Sequence, residues 1–299
     1  MPLIPDFGII ILCGGESRRM GFPKALLPFG SQTMLEFLVH KSLTIASEIV
    51  VVLSPGQKLP PLPPKVQLIE DQVAYQGPLT GMQSGLSLIS KVCKTAFITA
   101  TDSPLIMTEL IEFLYSRMDA NDIVMPFDGK YHYPLTSIYR VQPVLNQINT
   151  LLSENRHRPF FLLESLQSNI ISTTELRAVD PNLGSFRNIN TPMDYREILR
   201  IANLPVPFNF QATKINMEFD GVPRLRTGVH SFVVEAETVD ELIRELSRLF
   251  PQLIHHVICN HSLHPAYKLM RGTTEFLTDP STILNPDDQI LLLSVDAGG

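Results

Sequence analysis

The sequence predicts an α/β domain with a mainly parallel sheet, followed by a small α+β domain. Three observations carry this reading. Over the first two thirds of the 299 residues, short apolar runs alternate with helix-patterned stretches, as in strands joined by helical crossovers. The first apolar run leads directly into a glycine-rich loop, LCGGESRRMGFPK, residues 12–24. Beyond a proline-rich break at residues 204–208 the pattern changes, and a chain of this length ordinarily holds about two domains.

Strands are expected at residues 8–12, 49–53, 66–70, 96–100 and 123–126, with helices near 33–47, 80–90 and 108–118. The runs VVVL (50–53) and AFITA (96–100) are almost wholly apolar, as strands covered on both faces should be. Added strands are expected at 135–139 and 170–176, with helices around 143–152 and 159–166. The stretch SPGQKLPPLPPK, residues 54–65, reads as a surface loop because the alternation continues beyond it. A helix over about 192–202 precedes Leu204-Pro205-Val206-Pro207-Phe208. Proline stops helices and stiffens linkers. The domains are therefore expected at 1–203 and 209–299, with 204–208 as the linker.

After the break, residues 212–219 and 231–237 read as strands. Thr238-Val239-Asp240-Glu241 opens a helix with a hydroxyl at the N-cap and Glu three residues on, the capping-box pattern. Leu242, Ile243, Leu246, Leu249 and Phe250 are expected on its buried face, and Pro251 stops it. Strand-like 257–259 and 290–295 follow. Two strands, an amphipathic helix and further strands in so short a stretch suggest a β-grasp fold.

Bulk composition narrows the function. Hydrophobic residues make up 44% and charged residues 18%, enough to build a core and unlike a disordered chain. The net charge of −6 gives no reason to expect nucleic-acid binding. There is no apolar run of the ~18–20 residues a membrane span needs, and the opening MPLIPDFGIIIL lacks a basic leader and reads as a first strand. Cys13, Cys93 and Cys259 are widely separated, which fits a reducing, cytoplasmic setting. Residues 205–299 carry 7 basic and 12 acidic side chains. Such a surface could dock on a basic partner, or be a solvated acidic face.

The glycine loop carries the strongest chemistry. Gly14 and Gly15 permit close approach that a Cβ would block. Exposed amides in such a loop can bind phosphate oxygens, and Arg19 and Lys24 add positive charge. Two glycines alone would read as a tight turn. Together with the preceding strand, the string describes a triphosphate site at the carboxyl end of a strand, where open α/β sheets bind ligands. The spacing is neither GxxxxGK[ST] nor GxGxxG, so neither a Walker loop nor a dehydrogenase is indicated.

The string resembles the LAGGxSxRMGxxK signature of MobA-type nucleotidyltransferases, matching at Leu12, Gly14, Gly15, Ser17, Arg19, Met20, Gly21 and Lys24, with Cys13 where alanine is usual. Further matches follow in order. Gly77-Pro78-Leu79-Thr80-Gly81-Met82 resembles GPLAGL/M, and Thr101-Asp102-Ser103-Pro104 resembles CDTP. Pro134-Leu135 through Tyr139-Arg140 resembles HPLxxLY, and the segment from Asn188 to Asp194 resembles NxNTPxD. The resemblance spans about 1–202 and implies a Rossmann-like fold and transfer of GMP from GTP to molybdopterin, releasing pyrophosphate. It implies Leu12, Cys13, Gly14, Gly15, Lys24, Asp71 and Asp102 as nucleotide contacts, Lys24, Arg19 and Asp102 as catalytic groups, and Asp102 as the Mg2+ ligand. Asn188 and Asn190 would lie on the pterin side. Without the resemblance, Asp102 could equally be a helix N-cap, and Asp71 or the two asparagines turn residues. Gly14-Gly15 and the GPLTG string, residues 77–81, resemble the guanylyl-transferring branch of the family rather than the cytidylyl branch. One departure is Ser54 where the family often has Asn, which touches a nucleoside contact.

The C-terminal part resembles the MoaD/ThiS sulfur carriers, with TVDELIRELSRLFPQL like their helix and ILNPDDQILLLSVDAGG like their last strand and tail. A terminal Gly-Gly alone would read as a flexible end. With the resemblance it implies a ubiquitin-like carrier whose Gly299 carboxylate becomes an adenylate and then a thiocarboxylate. The implied partners are the large subunit of molybdopterin synthase and a MoeB-like adenylating enzyme, and the first domain could also meet molybdenum-inserting enzymes. The family's DGD turn is replaced by Asn285-Pro286-Asp287-Asp288. Alternatives stay open: cytidylyl or sugar-phosphate transfer with a thiamine-pathway carrier, or an inactive nucleotide-binding scaffold tethering the carrier. His255, His256, His261 and His264 match no compact zinc spacing. Cys13 is either redox-sensitive or a small residue standing in for alanine.

Overall fold

The structure, a computed structural model, describes residues 3–15, 17, 20–71, 77–207 and 213–295. It divides into two compact units, Met1–Pro207 and Phe208–Gly299.

The first unit is built on β1 (Phe7–Leu12), a small hairpin of β2 (Pro28–Phe29) and β3 (Gln32–Thr33), then β4 (Glu48–Leu53), β5 (Val66–Glu70), β6 (Thr95–Ala100), β7 (Ile123–Phe127), β8 (Thr136–Arg140) and β9 (Ser168–Ser172). Apart from the hairpin these form one sheet in the order β5-β4-β1-β6-β8-β7-β9. The pairings are parallel except at β8, which runs against both neighbours. The helices are α1 (Met34–Ser42), α2 (Pro78–Ile89), α3 (Thr108–Tyr115), α4 (Val141–Ser153), α5 (Thr173–Leu176) and α6 (Pro192–Ile201).

Strand alternation explains the layering. Every residue of β1 is buried. Ile9 and Ile11 pack with Leu35 and Leu38 of α1 and Leu110 and Leu114 of α3, whereas Ile10 and Leu12 pack with Leu79, Met82 and Leu86 of α2 and with α4. Successive side chains point to opposite faces, so a wholly apolar strand requires a helical layer on each side. Gly85 lets α2 approach closely, since a Cβ there would lie 2.5 Å from Ile10 Cγ2. The chain runs outward through β4 to β5 and then crosses back, placing β6 on the other side of β1. That reversal leaves a crevice outside the carboxyl ends of the central strands.

Some elements differ from expectation. The helix expected over 33–47 ends at Ser42, followed by turns at Leu43–Ala46. The stretch expected as a helix over 159–166 is a 3-10 turn, Pro159–Glu164. The strand expected over 170–176 stops at Ser172, whose hydroxyl accepts from Thr174 N at 3.0 Å and starts α5. A capped hydroxyl residue followed by Thr-Glu-Leu favours a helical turn over continued strand.

The second unit contains β10 (Lys214–Phe219), α7 (Val222–Thr227), β11 (Ser231–Glu235), α8 (Val239–Leu249), a hairpin of β12 (Ile258–Cys259) and β13 (Ser262–Leu263), β14 (Tyr267–Arg271), β15 (Glu275–Leu277) and β16 (Gln289–Ser294). Its five-stranded sheet has the order β11-β10-β16-β14-β15. The first and last strands, β10 and β16, pair in parallel at the centre, and the other pairs are antiparallel. Helix α8 buries Val239, Leu242, Ile243 and Leu246 in one core with Ile215, Met217, Phe219 and Leu292. Leu249, expected on that face, is 40% exposed at the helix end. Phe250 instead packs edge-on against Phe219 and Phe232. Thr238 caps the helix by accepting from Glu241 N at 3.2 Å, and the Glu241 carboxylate accepts from Glu237 N.

Candidate active site

A crevice of about 890 Å3 opens at the carboxyl edge of the first unit's sheet. The strand ends of β1, β4, β5 and β6 and the start of α2 line it, and Leu12, Cys13, Gly14, Gly15, Lys24, Asp71 and Asp102 all face it. Every described residue expected to contact the nucleotide therefore meets in one cavity. Arg19 and Gly299 lie outside the described residues.

The glycine loop leaves β1 still tied to its neighbour, with Cys13 N donating to Val52 O at 2.8 Å. Gly14 and Gly15 are exposed. A Cβ at Gly14 would lie 2.7 Å from Ser54 Oγ, whereas Gly15 faces open space. The loop then folds back. Ser17 O accepts from Met20 N and Gly21 N, and Ser17 Oγ accepts from Lys24 N at 3.4 Å. Gly21 has φ +66°, a left-handed value that favours glycine. Lys24 is thereby returned to the mouth of the loop.

Lys24 Nζ donates to Asp102 Oδ2 at 3.2 Å and to Asn190 Oδ1 at 3.1 Å. Asp102 follows β6, where Thr101 N still donates to Leu12 O at 3.1 Å. It caps no described helix, because the next helix, α3, begins after Met107. Asp102 O accepts from Ile189 N at 2.8 Å, and Ser103 Oγ donates to Asn188 Oδ1 at 2.8 Å. The 188–190 segment is held from its other end by Asp194, whose Oδ2 accepts from Asn190 N at 3.0 Å and Thr191 N at 2.9 Å. Thr191 Oγ1 accepts from Asp194 N in return, forming a capping box at the start of α6. The structure thus brings Asn190 into the Lys24–Asp102 cluster and Asn188 one residue beside it.

Asp71 lies just past β5, with its amide donating to Leu53 O at 2.8 Å. Thr80 Oγ1, in the first turn of α2, donates to Asp71 Oδ2 at 2.9 Å. Gly77, with φ +95°, precedes Pro78 at the helix start, a placement that suits proline. Burial pushes the Cys13 thiol up to about 11, so at neutral pH it is a protonated, small apolar group. Among the described residues no group of three or more His, Cys, Asp or Glu side chains could hold a metal. Among the described residues no helix is long and apolar enough to cross a membrane.

Three contributors carry roles that the sequence reading did not assign. Gln57 lines the crevice and bonds both Cys13 and Ser54. Thr80 and Ser103 orient Asp71 and Asn188. Ser54-Pro55-Gly56-Gln57 is a recognisable Pro-Gly turn, but nothing in the sequence says where such a turn aims its last side chain.

A glycine loop, a lysine and a strand-end aspartate converging on the switch point of a mainly parallel sheet define a nucleotidyltransferase-like α/β protein. Residues 9–168 match the MobA-like NTP transferase domain family, and the chain belongs to it. It is similar to the "probable molybdenum cofactor guanylyltransferase" of Mycolicibacterium paratuberculosis, 34% identical over 194 residues, covering 63% of this chain and 93% of that protein. The protein of the same name from Mycobacterium tuberculosis is 33% identical over 189 residues, covering 62% and 92%. Among solved structures, molybdopterin-guanine dinucleotide biosynthesis protein A from Archaeoglobus fulgidus shares the fold. Its TM-score is 0.55 at 21% identity, covering 66% of this chain and 98% of that one.

Proposed function

We propose that the first unit transfers GMP from GTP to the terminal phosphate of molybdenum-molybdopterin, giving the guanine dinucleotide cofactor and pyrophosphate. The reading is supported by family membership and by relatives of that printed name aligned over more than nine tenths of their length. The observation that carries it is the meeting of Lys24 and Asp102, 3.2 Å apart, beside the exposed loop glycines.

Nucleotidyl transfer needs in-line placement and neutralised charge more than covalent help. The amides of Gly14 and Gly15 approach the phosphates, Lys24 offsets their charge, and Arg19 assists. Asp71, held by Thr80, takes the nucleoside end together with Leu12 and Cys13. Asn188 and Asn190 take the pterin side. Mg2+ is ordinarily held by one or two carboxylates plus substrate phosphates, and Asp102, partly exposed at the crevice, fits that donor set. When bound, the ion supplies Lewis-acid stabilisation of phosphate charge.

The test is product identification after mixing the protein with GTP, CTP, Mg2+ and molybdopterin. The guanine dinucleotide is the expected product. Equal or greater turnover with CTP refutes the guanine assignment.

For the second unit the reading is a ubiquitin-like β-grasp sulfur carrier. Its support is the parallel central pair of first and last strands, the single long helix across one face, and the sequence Gly298-Gly299 after β16. Gly299 is the thiocarboxylate site, with a MoeB-like adenylating enzyme and the large subunit of molybdopterin synthase as partners. Incubation with the adenylating enzyme, ATP and a sulfur donor should raise the mass by the difference between one sulfur and one oxygen atom, as AMP leaves the adenylate and sulfur takes the place of a carboxylate oxygen. The same gain in a chain lacking Gly298-Gly299 sinks this assignment.

A further inference from the structure

The turn after β4 puts a side chain where a sheet hydrogen bond is due. The register pairs Leu12 with Val52, and Cys13 N extends the ladder by donating to Val52 O at 2.8 Å. In an evenly spaced parallel ladder the carbonyl of the same residue next accepts from the amide two residues along the partner strand, here Ser54 N. Gln57 carries that rung instead. Ser54 N donates to Gln57 Oε1 at 3.1 Å, and Gln57 Nε2 donates to Cys13 O at 3.1 Å and lies 3.3 Å from Cys13 Sγ.

A tight turn makes this delivery. Ser54-Pro55-Gly56-Gln57 has proline second and glycine third, Gly56 has φ +71°, and Gln57 N donates to Ser54 O at 3.1 Å. Those are the marks of a type II turn. A carboxamide presents a donor and an acceptor side by side. It can therefore satisfy both strand ends where the ladder's own rung is not made.

The geometry points to Gln57 as a positioning residue, a carboxamide wedge that keeps the carboxyl ends of β1 and β4 apart and holds open the nucleoside end of the crevice. This rests on the nucleotidyltransferase reading of the first unit. Along the sheet edge Lys24 and Asp102 gather at β1 and β6, the side assigned to the triphosphate. Ser54, Gln57 and Asp71 lie past β4 and β5, the side left for the nucleoside. The strand ends are already close, since a Cβ on Gly14 would meet Ser54 Oγ at 2.7 Å. With the wedge removed, Cys13 O and Ser54 N are each other's available partners. The ladder then closes one rung further and narrows that end, while Gly15 and Lys24 keep their places.

The test is calorimetric titration of the full chain, as wild type, Gln57→Ala and Gln57→Glu, with Mg–GTP, Mg–CTP and Mg–tripolyphosphate. Glutamate keeps the acceptor for Ser54 N but sets an oxygen against Cys13 O, so both variants break the rung. Each should lose roughly tenfold or more in affinity for the nucleotide that wild type prefers. Tripolyphosphate binding should stay within about twofold, which also shows that the variants are folded. In turnover, KM should rise with kcat nearly unchanged. Nucleotide binding equal to wild type overturns the wedge. So does a parallel loss of tripolyphosphate binding, which would make Gln57 a general support of the loop. Wild-type preference between GTP and CTP tests the guanylyl reading separately, because the wedge is read from the variant-to-wild-type ratio for whichever nucleotide is preferred.

Discussion

Lys24 Nζ sits between Asp102 Oδ2 at 3.2 Å and Asn190 Oδ1 at 3.1 Å, so one ammonium joins the glycine loop, the end of β6 and the segment leading into α6. These groups come from three distant parts of the chain. A phosphate that draws Lys24 away leaves the Asp102 carboxylate available to a cation.

That relationship predicts the behaviour of Asp102→Asn. The amide keeps the shape and can still meet Lys24, but the charge that would hold Mg2+ is gone. Transfer should fall by about a hundredfold or more, in line with losing an electrostatic stabiliser of the transition state. The Lys24 and Asp102 side chains are 17% and 22% exposed, so the pair is partly hydrated and stability should change by about 1 kcal/mol or less. Turnover assays beside a thermal melt check both halves. Full activity would remove Asp102 from the mechanism.

Asp194 offers a test of how Asn190 is positioned. Its carboxylate accepts from Asn190 N and Thr191 N, and Asp194→Ala removes both bonds and the capping box. The helix should lose about 1 kcal/mol, read as a lower denaturation midpoint. Transfer to the pterin phosphate should slow more than GTP binding weakens, because Lys24 and the glycine loop remain. Unchanged turnover would free the α6 entry from any part in the site.

Much of this arrangement was legible in the sequence. The apolar runs located the central strands, and a glycine loop after the first strand located the crevice. What escaped was carried by side-chain reach. Lys24, Asp102 and Asn190 could each be nominated from their strings, but only the fold puts them within one hydrogen-bond shell. Gln57 sat unremarked in a Pro-rich loop because its partners, Cys13 and Ser54, meet only when β1 pairs with β4. The strand expected through Leu176 failed at Ser172, where a local hydroxyl cap outweighed the β-branched pattern before it.

Two glycines should separate stability from binding. At Gly85 a Cβ would lie 2.5 Å from Ile10 Cγ2 in the packed interface between α2 and β1. Gly85→Ala should destabilise by about 1–3 kcal/mol, as overpacking does. At Gly15 a Cβ meets nothing within 4 Å, so Gly15→Ala should melt like wild type. It sits on the exposed loop at the crevice, and its new methyl should weaken nucleotide binding. Denaturant midpoints and GTP titrations on both variants distinguish these roles, and a stability loss at Gly15 would contradict the open space around it.

Cys13 supplies a prediction with a definite sign in pH. Burial pushes its thiol from an ordinary value of 9.0 up to about 11, so the folded chain holds this proton more tightly than the unfolded chain. Between those values the unfolded state binds fewer protons, and stability must fall as pH rises. The contribution is fully present below about pH 9 and lost on passing pH 11, with a size on the order of 2 kcal/mol. Denaturant midpoints at pH 8 and pH 10.5 should differ by more in wild type than in Cys13→Ala. Native protein at pH 8 should also resist alkylation at Cys13 until denatured, because the thiolate is the reactive form. Rapid labelling of the native thiol would revive the redox-sensitive reading and show that the loop opens far more readily than its packing against Val52 and Gln57 implies.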